Sequence, residues 1–194
     1  MPPYPLNLDV TSPASVARWR PLLNWLLLLP HFIWLAVLSL ALEIVSVVSW
    51  FVIVITGKAP ESLTTFMVAA FRYQWRVYAY LYAWTEDYPS FSPPMGYTDP
   101  GGNPAVLNFV PDQERNRITV LLRFFLAIPQ LIVLYIVGIA GSIALLVAWF
   151  AVLITGRWPE GLRTFCIGYY RWYLRFEGYF FLVTDAYPPF RLGA

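Results

Sequence analysis

Two stretches of this chain, 99 residues apart, carry the same unusual pattern. Residues 50–76 read WFVIVITGKAPESLTTFMVAAFRYQWR, and residues 149–175 read WFAVLITGRWPEGLRTFCIGYYRWYLR. In each, an apolar segment ends at a short turn, and the segment after the turn holds two arginines among apolar and aromatic residues. Arginine is one of the most costly residues to place in hydrocarbon. Any fold for this chain must therefore shield two pairs of arginines.

The repetition extends well beyond these stretches. Residues 18–91 align with residues 117–190 without a gap, and 27 of the 74 paired positions are identical. The identities include prolines, glycines and charged residues, which a shared apolar composition does not explain. We infer an internal duplication. The first repeat covers residues 1–91, a linker rich in Pro and Gly covers 92–103, and the second repeat covers 104–194.

The composition is typical of a membrane protein, because 59% of the 194 residues are apolar and only 12% are charged. Residues 30–56 and 129–155 are apolar segments long enough to cross a bilayer. Residues 61–84 and 160–183 are long enough as well. The sequence therefore predicts an all-α membrane protein, a tandem repeat of helical hairpins with about four spanning helices.

Shorter elements precede each hairpin. Residues 4–10 and 105–109 alternate between apolar and polar side chains, which predicts short β-strands outside the membrane. These strands could pair with each other, or each could lie over its own repeat. Residues 15–29 and 113–128 are predicted to form interfacial helices. The prolines that follow, Pro30 and Pro129, are expected to cause a kink or a fresh helix start.

The turn inside each hairpin contains residues that stop and start helices. A glycine fits a left-handed cap, a proline fits the first position of the next helix, and a glutamate would lie at the positive end of that helix. These residues are Gly57, Pro60 and Glu61 in the first repeat and Gly156, Pro159 and Glu160 in the second. Two crossings per repeat would give both hairpins the same orientation. More Arg and Lys on the terminal side predicts cytoplasmic termini.

The candidate site consists of charged residues within the predicted membrane segments: Glu43, Arg72, Arg76, Arg171 and Arg175. Counted from the turn, Glu43 lies about as deep as the first arginine pair, so our hypothesis is an ion pair between them. Alternatively, the second helix lies flat at the interface, and its arginines reach lipid phosphates. Ser142 replaces Glu43 in the second repeat. There a lipid headgroup, the other repeat or another subunit would supply the missing charge.

The second helix of each hairpin carries small residues on the face that holds the arginines. Small residues mark a close approach of another backbone in membrane helices, so this face is predicted to be a packing face. Its members are Thr65, Ala69, Arg72, Arg76, Ala79 and Ala83, and in the second repeat Thr164, Gly168, Arg171, Arg175, Gly178 and Leu182.

Little in the sequence favours catalysis, cofactors or metal binding. One cysteine and one histidine exclude an internal disulfide and disfavour a thiolate and histidine metal site. We expect Cys166 in the core, His31 at the interface, and Glu86 and Asp185 in turns. No nucleophile, base and acid set or glycine-rich phosphate loop is evident, so no enzyme activity and no cofactor are expected. The small net charge of +2 does not favour nucleic acid.

Several of these motifs together resemble an uncharacterised bacterial family of small integral membrane proteins that carry this unit singly or in tandem. They are Pro30-His31, Trp50-Phe51, Thr56-Gly57-Lys58, Pro60, Leu63, the arginine pair, Thr85, Tyr88-Pro89 and Phe91, with a second copy ending Thr184-Asp185-Ala186-Tyr187-Pro188-Pro189-Phe190. The resemblance implies a bacterial inner membrane location. It implies no activity, cofactor or ligand.

Two functions remain open at this level. The first is a non-enzymatic accessory or assembly subunit, or scaffold, that binds lipids and the helices of other membrane subunits or of a second copy. The alternative is a transporter or channel in which the arginines line a polar pathway for an anion or a lipid headgroup.

Overall fold

The computed structural model describes residues 4–112 and 114–193, which form six helices and one two-stranded sheet. In chain order the elements are β1 (Leu6–Val10), α1 (Arg20–Leu27), α2 (Leu29–Thr56), α3 (Glu61–Leu81), β2 (Ala105–Phe109), α4 (Arg117–Leu121), α5 (Arg123–Thr155) and α6 (Glu160–Phe180). Each repeat thus contributes one strand, a short helix and a hairpin of two long helices. The mostly helical fold with two repeated units confirms the coarse prediction.

The hairpin turns form as their residues predict. Gly57 ends α2 and Gly156 ends α5, both with left-handed backbones at φ of 77° and 71°. Pro60 and Pro159 are extended N-cap residues, one position earlier than predicted, so that Glu61 and Glu160 begin the next helices. A left-handed residue here lets the chain reverse, and glycine adopts it without steric cost.

The predicted fresh start at Pro30 is confirmed to within one residue, because α2 begins at Leu29, but the predicted break at Pro129 is wrong. The interruption falls earlier, at Leu28 and Leu122, so the interfacial helices shrink to α1 and α4. Pro30 is tolerated in the first turn of α2, where its missing N–H would have no partner anyway. Pro129 lies inside α5, where the helix continues through it.

Strands β1 and β2 form an antiparallel pair, and the two residues at its centre occupy equivalent positions in the two repeats. Leu8 faces Leu107, its counterpart 99 positions later, and the register is symmetric about this pair. An antiparallel pair has a local two-fold axis perpendicular to the sheet, because opposed side chains project from the same face. The two repeats are therefore related by a pseudo-two-fold axis through the centre of the sheet.

Each repeat exchanges its N-terminal segment with the other. Strand β1 packs on α6 of the second repeat, and β2 packs on α3 of the first. The same exchange occurs at the turns: Val16 N–H donates to Gly156 O at 2.8 Å, and Arg115 N–H donates to Gly57 O at 3.0 Å. Of the two alternatives for the strands, pairing is confirmed, and each strand covers the other repeat rather than its own.

The exchange also sets the direction of the long helices. Trp149, near the end of α5, donates its Nε1–H to Pro21 O at the start of α1, at 2.9 Å. The equivalent bond joins Trp50, near the end of α2, to Val120 O in α4, at 3.2 Å. The α1–α2 and α4–α5 runs therefore lie antiparallel. The prediction that both hairpins point the same way is wrong, since the start of each repeat is bound to the turn end of the other.

The long helices differ sharply in burial. Helices α3 and α6 lie in the centre, where most of their side chains are enclosed by the sheet, by each other and by the outer helices. Within the described residues, α2 and α5 are the two helices long and apolar enough to span a membrane, and only 17% and 22% of their most apolar stretches are buried. Apart from Glu43 and a few small polar residues, the remaining faces of α2 and α5 are apolar and exposed.

The two turn glycines are expected to differ in their tolerance of a methyl group. A Cβ at Gly156 would lie 2.9 Å from the backbone oxygen of Val16, whereas a Cβ at Gly57 would lie 3.2 Å from the movable Arg117 Nε. Both substitutions also force alanine into a left-handed conformation, which costs about 1–2 kcal/mol. Thermal unfolding in detergent should show a larger loss for Gly156→Ala than for Gly57→Ala. Equal losses would contradict the close contact at Val16.

Candidate functional site

The first arginine pair is held by an acid from the linker. Asp99 Oδ2 lies 3.0 Å from Arg72 Nε, and Asp99 Oδ1 lies 2.8 Å from Arg76 Nη2. The same carboxylate accepts backbone N–H groups of Gly101 and Leu107. The side chains of Arg72 and Asp99 are fully buried. Buried charges persist only when paired and hydrogen-bonded, and this carboxylate meets both conditions.

The predicted pairing of Glu43 with these arginines is wrong. Glu43 is exposed on α2, while its neighbour Leu42 packs into the cluster that contains Met67, Val68 and Phe71 of α3. The two helices are therefore offset relative to a count from the turn. Sequence reasoning missed Asp99 because an Asp-Pro-Gly-Gly run reads as a turn. The only available signal was that two buried arginines need an acid.

Arg72 also completes the open edge of the sheet. Its Nη2 donates to Leu107 O at 2.9 Å and to Gly96 O at 3.2 Å, and Nη1 donates to Pro94 O. Burial lowers the pKa of the Arg72 guanidinium, and the neighbouring Asp99 carboxylate opposes that shift. An edge strand presents unpaired peptide groups, and here an arginine supplies the missing donors.

The second arginine pair makes equivalent contacts with the opposite strand and with the C-terminal tail. Arg171 Nε donates to Leu8 O at 2.7 Å, and its Nη2 lies 3.0 Å from Asp9 Oδ1. Arg175 is almost completely buried and donates to Gly193 O at 2.9 Å. Of the partners left open by the sequence, the other repeat supplies the acid for Arg171.

All four arginines therefore face one polar layer. We call this layer the cap and define it as strands β1 and β2, residues 93–103 of the linker and the tail at residues 190–193. The predicted packing face of α3 and α6 is confirmed, since the side chains of Ala79 and Ala105 share a buried cluster and Gly178 lies against Leu6. Its main partner is the cap, although Ala79 also clusters with Cys166 of α6, and Ala83 clusters with Val152 of α5.

A small polar groove adjoins Arg171. It is lined by Val10, Ser12, Arg163, Thr164, Ile167 and Arg171. Arg163 and Arg171 both contribute positive charge there, and Arg171 retains partial exposure. Two guanidinium groups and two hydroxyls are donors suited to an anionic oxygen group such as a phosphate.

His31 is buried rather than interfacial, so that prediction is wrong. Its Nδ1 lies 2.5 Å from the Tyr73 hydroxyl, and its ring stacks on Phe91 with centroids 4.0 Å apart. In the second repeat Gln130 takes the same position and accepts the Nε1–H of Trp172 at 2.8 Å. Both pairs join the outer helix to the central helix, because a buried polar group needs such a partner. Cys166 is fully buried, as predicted.

Glu86 and Asp185 do more than form turns. Glu86 Oε1 lies 2.8 Å from Arg20 Nε and accepts the backbone N–H of Ala17 at 3.0 Å. Asp185 pairs with Arg123 and accepts the backbone N–H of Asn116. Each acid therefore holds the approach to the first helix of its own repeat, a role that a turn assignment does not include.

One further acid is buried at the contact between the central helices. Glu177 on α6 accepts a hydrogen bond from Gln74 Nε2 on α3 at 2.9 Å, while its other oxygen has no partner among the described atoms. Burial raises the pKa of Glu177 to about 8, with the hydrogen bond from Gln74 opposing the shift. Burial therefore favours the protonated form of this carboxyl group in the folded protein.

The raised pKa predicts a specific pH dependence. The folded state holds the Glu177 proton more tightly than the unfolded state, so stability falls as the pH rises from about 4.5 through about 8. Glu177→Gln should remove this decline and should be more stable than the parent at pH 9 by about 1–3 kcal/mol. Thermal unfolding between pH 5 and pH 9 measures it, with Glu160→Gln, exposed on the same helix, as the control. A parallel decline in both variants would contradict the assignment.

Comparison with known proteins agrees with the duplication. No curated protein and no solved structure matches this chain. Residues 18–92 and 117–191 each match a family described as "Domain of unknown function (DUF4389)", and their starts are again 99 residues apart. The chain belongs to this family and carries its domain twice.

Proposed function

We propose that this protein is a non-enzymatic accessory or scaffold protein of the bacterial inner membrane that binds lipids and the helices of partner subunits. The observation that carries the proposal is the contrast between its surfaces. Mostly apolar side chains cover the exposed faces of α2 and α5, while Arg72, Arg76 and Arg175 are enclosed by the cap. Exposed apolar faces of this extent mark contact with lipid or with another protein.

Two features support contacts beyond bulk lipid. Glu43 is an exposed acid in the middle of the apolar helix α2, where a charge without a partner costs at least about 2.5–3.5 kcal/mol in hydrocarbon. A basic group of a partner subunit or a second copy would offset that cost. The groove between Arg163 and Arg171 suits the phosphate of a lipid headgroup.

Transport along the arginines receives less support. Arg72 is fully buried, and its donors are bound to Asp99 and to peptide oxygens of the cap. A permeating anion would have to displace these acceptors. The arginines therefore support the fold in this proposal.

Purification of the intact chain in mild detergent tests the proposal. We expect a stoichiometric membrane protein or a second copy to accompany the parent, and Glu43→Leu to lose it while its melting temperature stays the same or rises. Ser142→Leu, the equivalent change in the second repeat, is the matched control and should retain the partner. Anion flux by the parent in liposomes would favour transport instead, and a parent that purifies without any partner would contradict the proposed partner contact.

A further inference from the structure

The pseudo-two-fold axis fixes how the outer helices can lie in a membrane. Positions related by the axis are at the same height along it, and Pro21 and Val120 are such a pair. Trp50 contacts Val120 through a hydrogen bond of 3.2 Å, so Trp50 and Pro21 differ in height by no more than one side chain. About 43 Å of nearly continuous helix separates these two residues along the chain. The α1–α2 run is therefore almost perpendicular to the axis, and so is the α4–α5 run.

The cap lies at one end of that axis. The axis is perpendicular to the sheet, whose inner face packs on the central helices. Its outer face carries Asn7, Asp9, Val106 and Asn108, of which Asp9 and Asn108 are exposed. Along the axis the molecule is thus polar at the top, while the helices beneath lie parallel to the sheet.

Helices that crossed a bilayer would place this polar end in hydrocarbon. If α2 and α5 stood upright, the axis would lie in the membrane plane, and symmetry would put it near mid-depth. The sheet, with Asp9 and Asn108 exposed on it, would then face acyl chains at the bilayer centre. Exposed peptide groups and charges are excluded from that region.

We propose that the protein is inserted in a single leaflet, with α1–α2 and α4–α5 lying in the membrane plane and the cap in water. The acyl-chain layer of that leaflet covers the exposed faces of α2 and α5, except around Glu43, where the proposed partner contact lies. A layer of helices is about 10–12 Å thick. Half of the hydrocarbon core is about 15 Å thick, so the layer fits within it.

The distribution of exposed side chains agrees with this orientation. Apolar residues are exposed along the full length of both helices, among them Ile33, Leu40, Val47 and Ile55 in α2 and Ile132, Tyr135, Ile143 and Ile154 in α5. Basic residues are exposed at the two ends of the helical layer. Arg18 lies against Gly156, and Arg117 lies against Gly57. In the proposed orientation the side chains of Arg18 and Arg117 both reach the headgroups of the same leaflet, where basic side chains are favoured.

Cysteine labelling in sealed membrane vesicles tests the orientation, which rests on the proposed membrane location. In a Cys166→Ala parent, single cysteines replace four exposed residues: Lys58, Ser90, Asn108 and Arg157. We expect a membrane-impermeant maleimide to label all four from the same side and none from the other. Labelling of Lys58→Cys and Arg157→Cys from opposite sides would show antiparallel crossing helices. Labelling of both from the side opposite Ser90→Cys would show parallel hairpins, and either result would overturn the proposal.

Nitroxide depth measurements provide a second, independent readout. Spin labels at Ile33, Leu40, Val47 and Ile55 should report nearly equal depth in phospholipid vesicles. A crossing helix would instead carry the first and last labels about 33 Å apart along the membrane normal. Vesicle flotation distinguishes a failure of the proposed membrane location from a failure of the proposed in-plane orientation. A protein that does not float refutes the membrane location, whereas one that floats but is labelled from both sides refutes the in-plane orientation alone.

Discussion

Asp99→Asn is expected to lower the free energy of unfolding by about 3–5 kcal/mol, because it leaves two buried arginines without a counter-charge. Asp99 is the acid within ion-pair distance of both Arg72 and Arg76, and its carboxylate also accepts two backbone N–H groups. The asparagine side chain has the same shape and keeps one acceptor oxygen. Its NH2 group, however, is a donor and would face the guanidinium groups, which are donors as well. Thermal unfolding in detergent should show a melting temperature lower by more than about 6 °C.

Two matched variants make this test specific. Asp9→Asn removes the acid that pairs with Arg171. Because the Asp9 side chain is 58% exposed, this change should lower the free energy of unfolding by no more than about 1 kcal/mol. Glu43→Gln should leave the melting temperature close to that of the parent, since Glu43 is exposed and unconnected to the arginines. If Glu43→Gln destabilised the protein as much as Asp99→Asn, the original pairing hypothesis would be restored.

Leu8→Ala is the second substitution with a large expected effect, a loss of about 2–5 kcal/mol. Leu8 is 1% exposed and lies on the inner face of β1, in the cluster that joins the sheet to both central helices. Its truncation leaves a cavity where the two repeats meet. Urea unfolding in detergent measures the change.

The control for Leu8→Ala is its neighbour on the same strand. The Asn7 side chain lies on the outer face of the sheet, and within the described residues its one hydrogen bond is to the exposed Asp9 carboxylate. Asn7→Ala should therefore change the free energy of unfolding by less than about 0.5 kcal/mol. Similar losses in the two variants would mean that the sheet does not cover the helices as described.

Local features of the fold could be predicted from the sequence. The duplication, the hairpins, the left-handed caps at Gly57 and Gly156 and the packing face of α3 follow from identities and from residue propensities within a few turns of chain. Cys166 in the core follows from its apolar surroundings. Each of these depends on neighbours in the sequence, which a single sequence does reveal.

Features that depend on distant contacts could not be predicted in this way. Leu8 and Leu107 are equally compatible with covering their own repeat or the other one, and only the fold chooses between them. A count from the turn places Glu43 beside the arginines only if the two helices are level, but Leu35 packs in one cluster with Tyr73, so the helices are offset. His31 resembled an interfacial residue because its partners, Tyr73 and Phe91, lie far along the chain.

Exchange of strands between the repeats underlies the axis, the arginine contacts and the proposed orientation, and one disulfide tests it directly. A Cβ at Gly178 would lie 4.0 Å from the Cβ of Leu6, within the range that disulfides span. In the Cys166→Ala parent, Leu6→Cys with Gly178→Cys should form a bond on mild oxidation, identified by mass spectrometry of linked peptides. Leu6→Cys with Ala79→Cys, the equivalent position in the first repeat, should remain reduced. A bond in the Ala79 pair and none in the Gly178 pair would contradict the exchange.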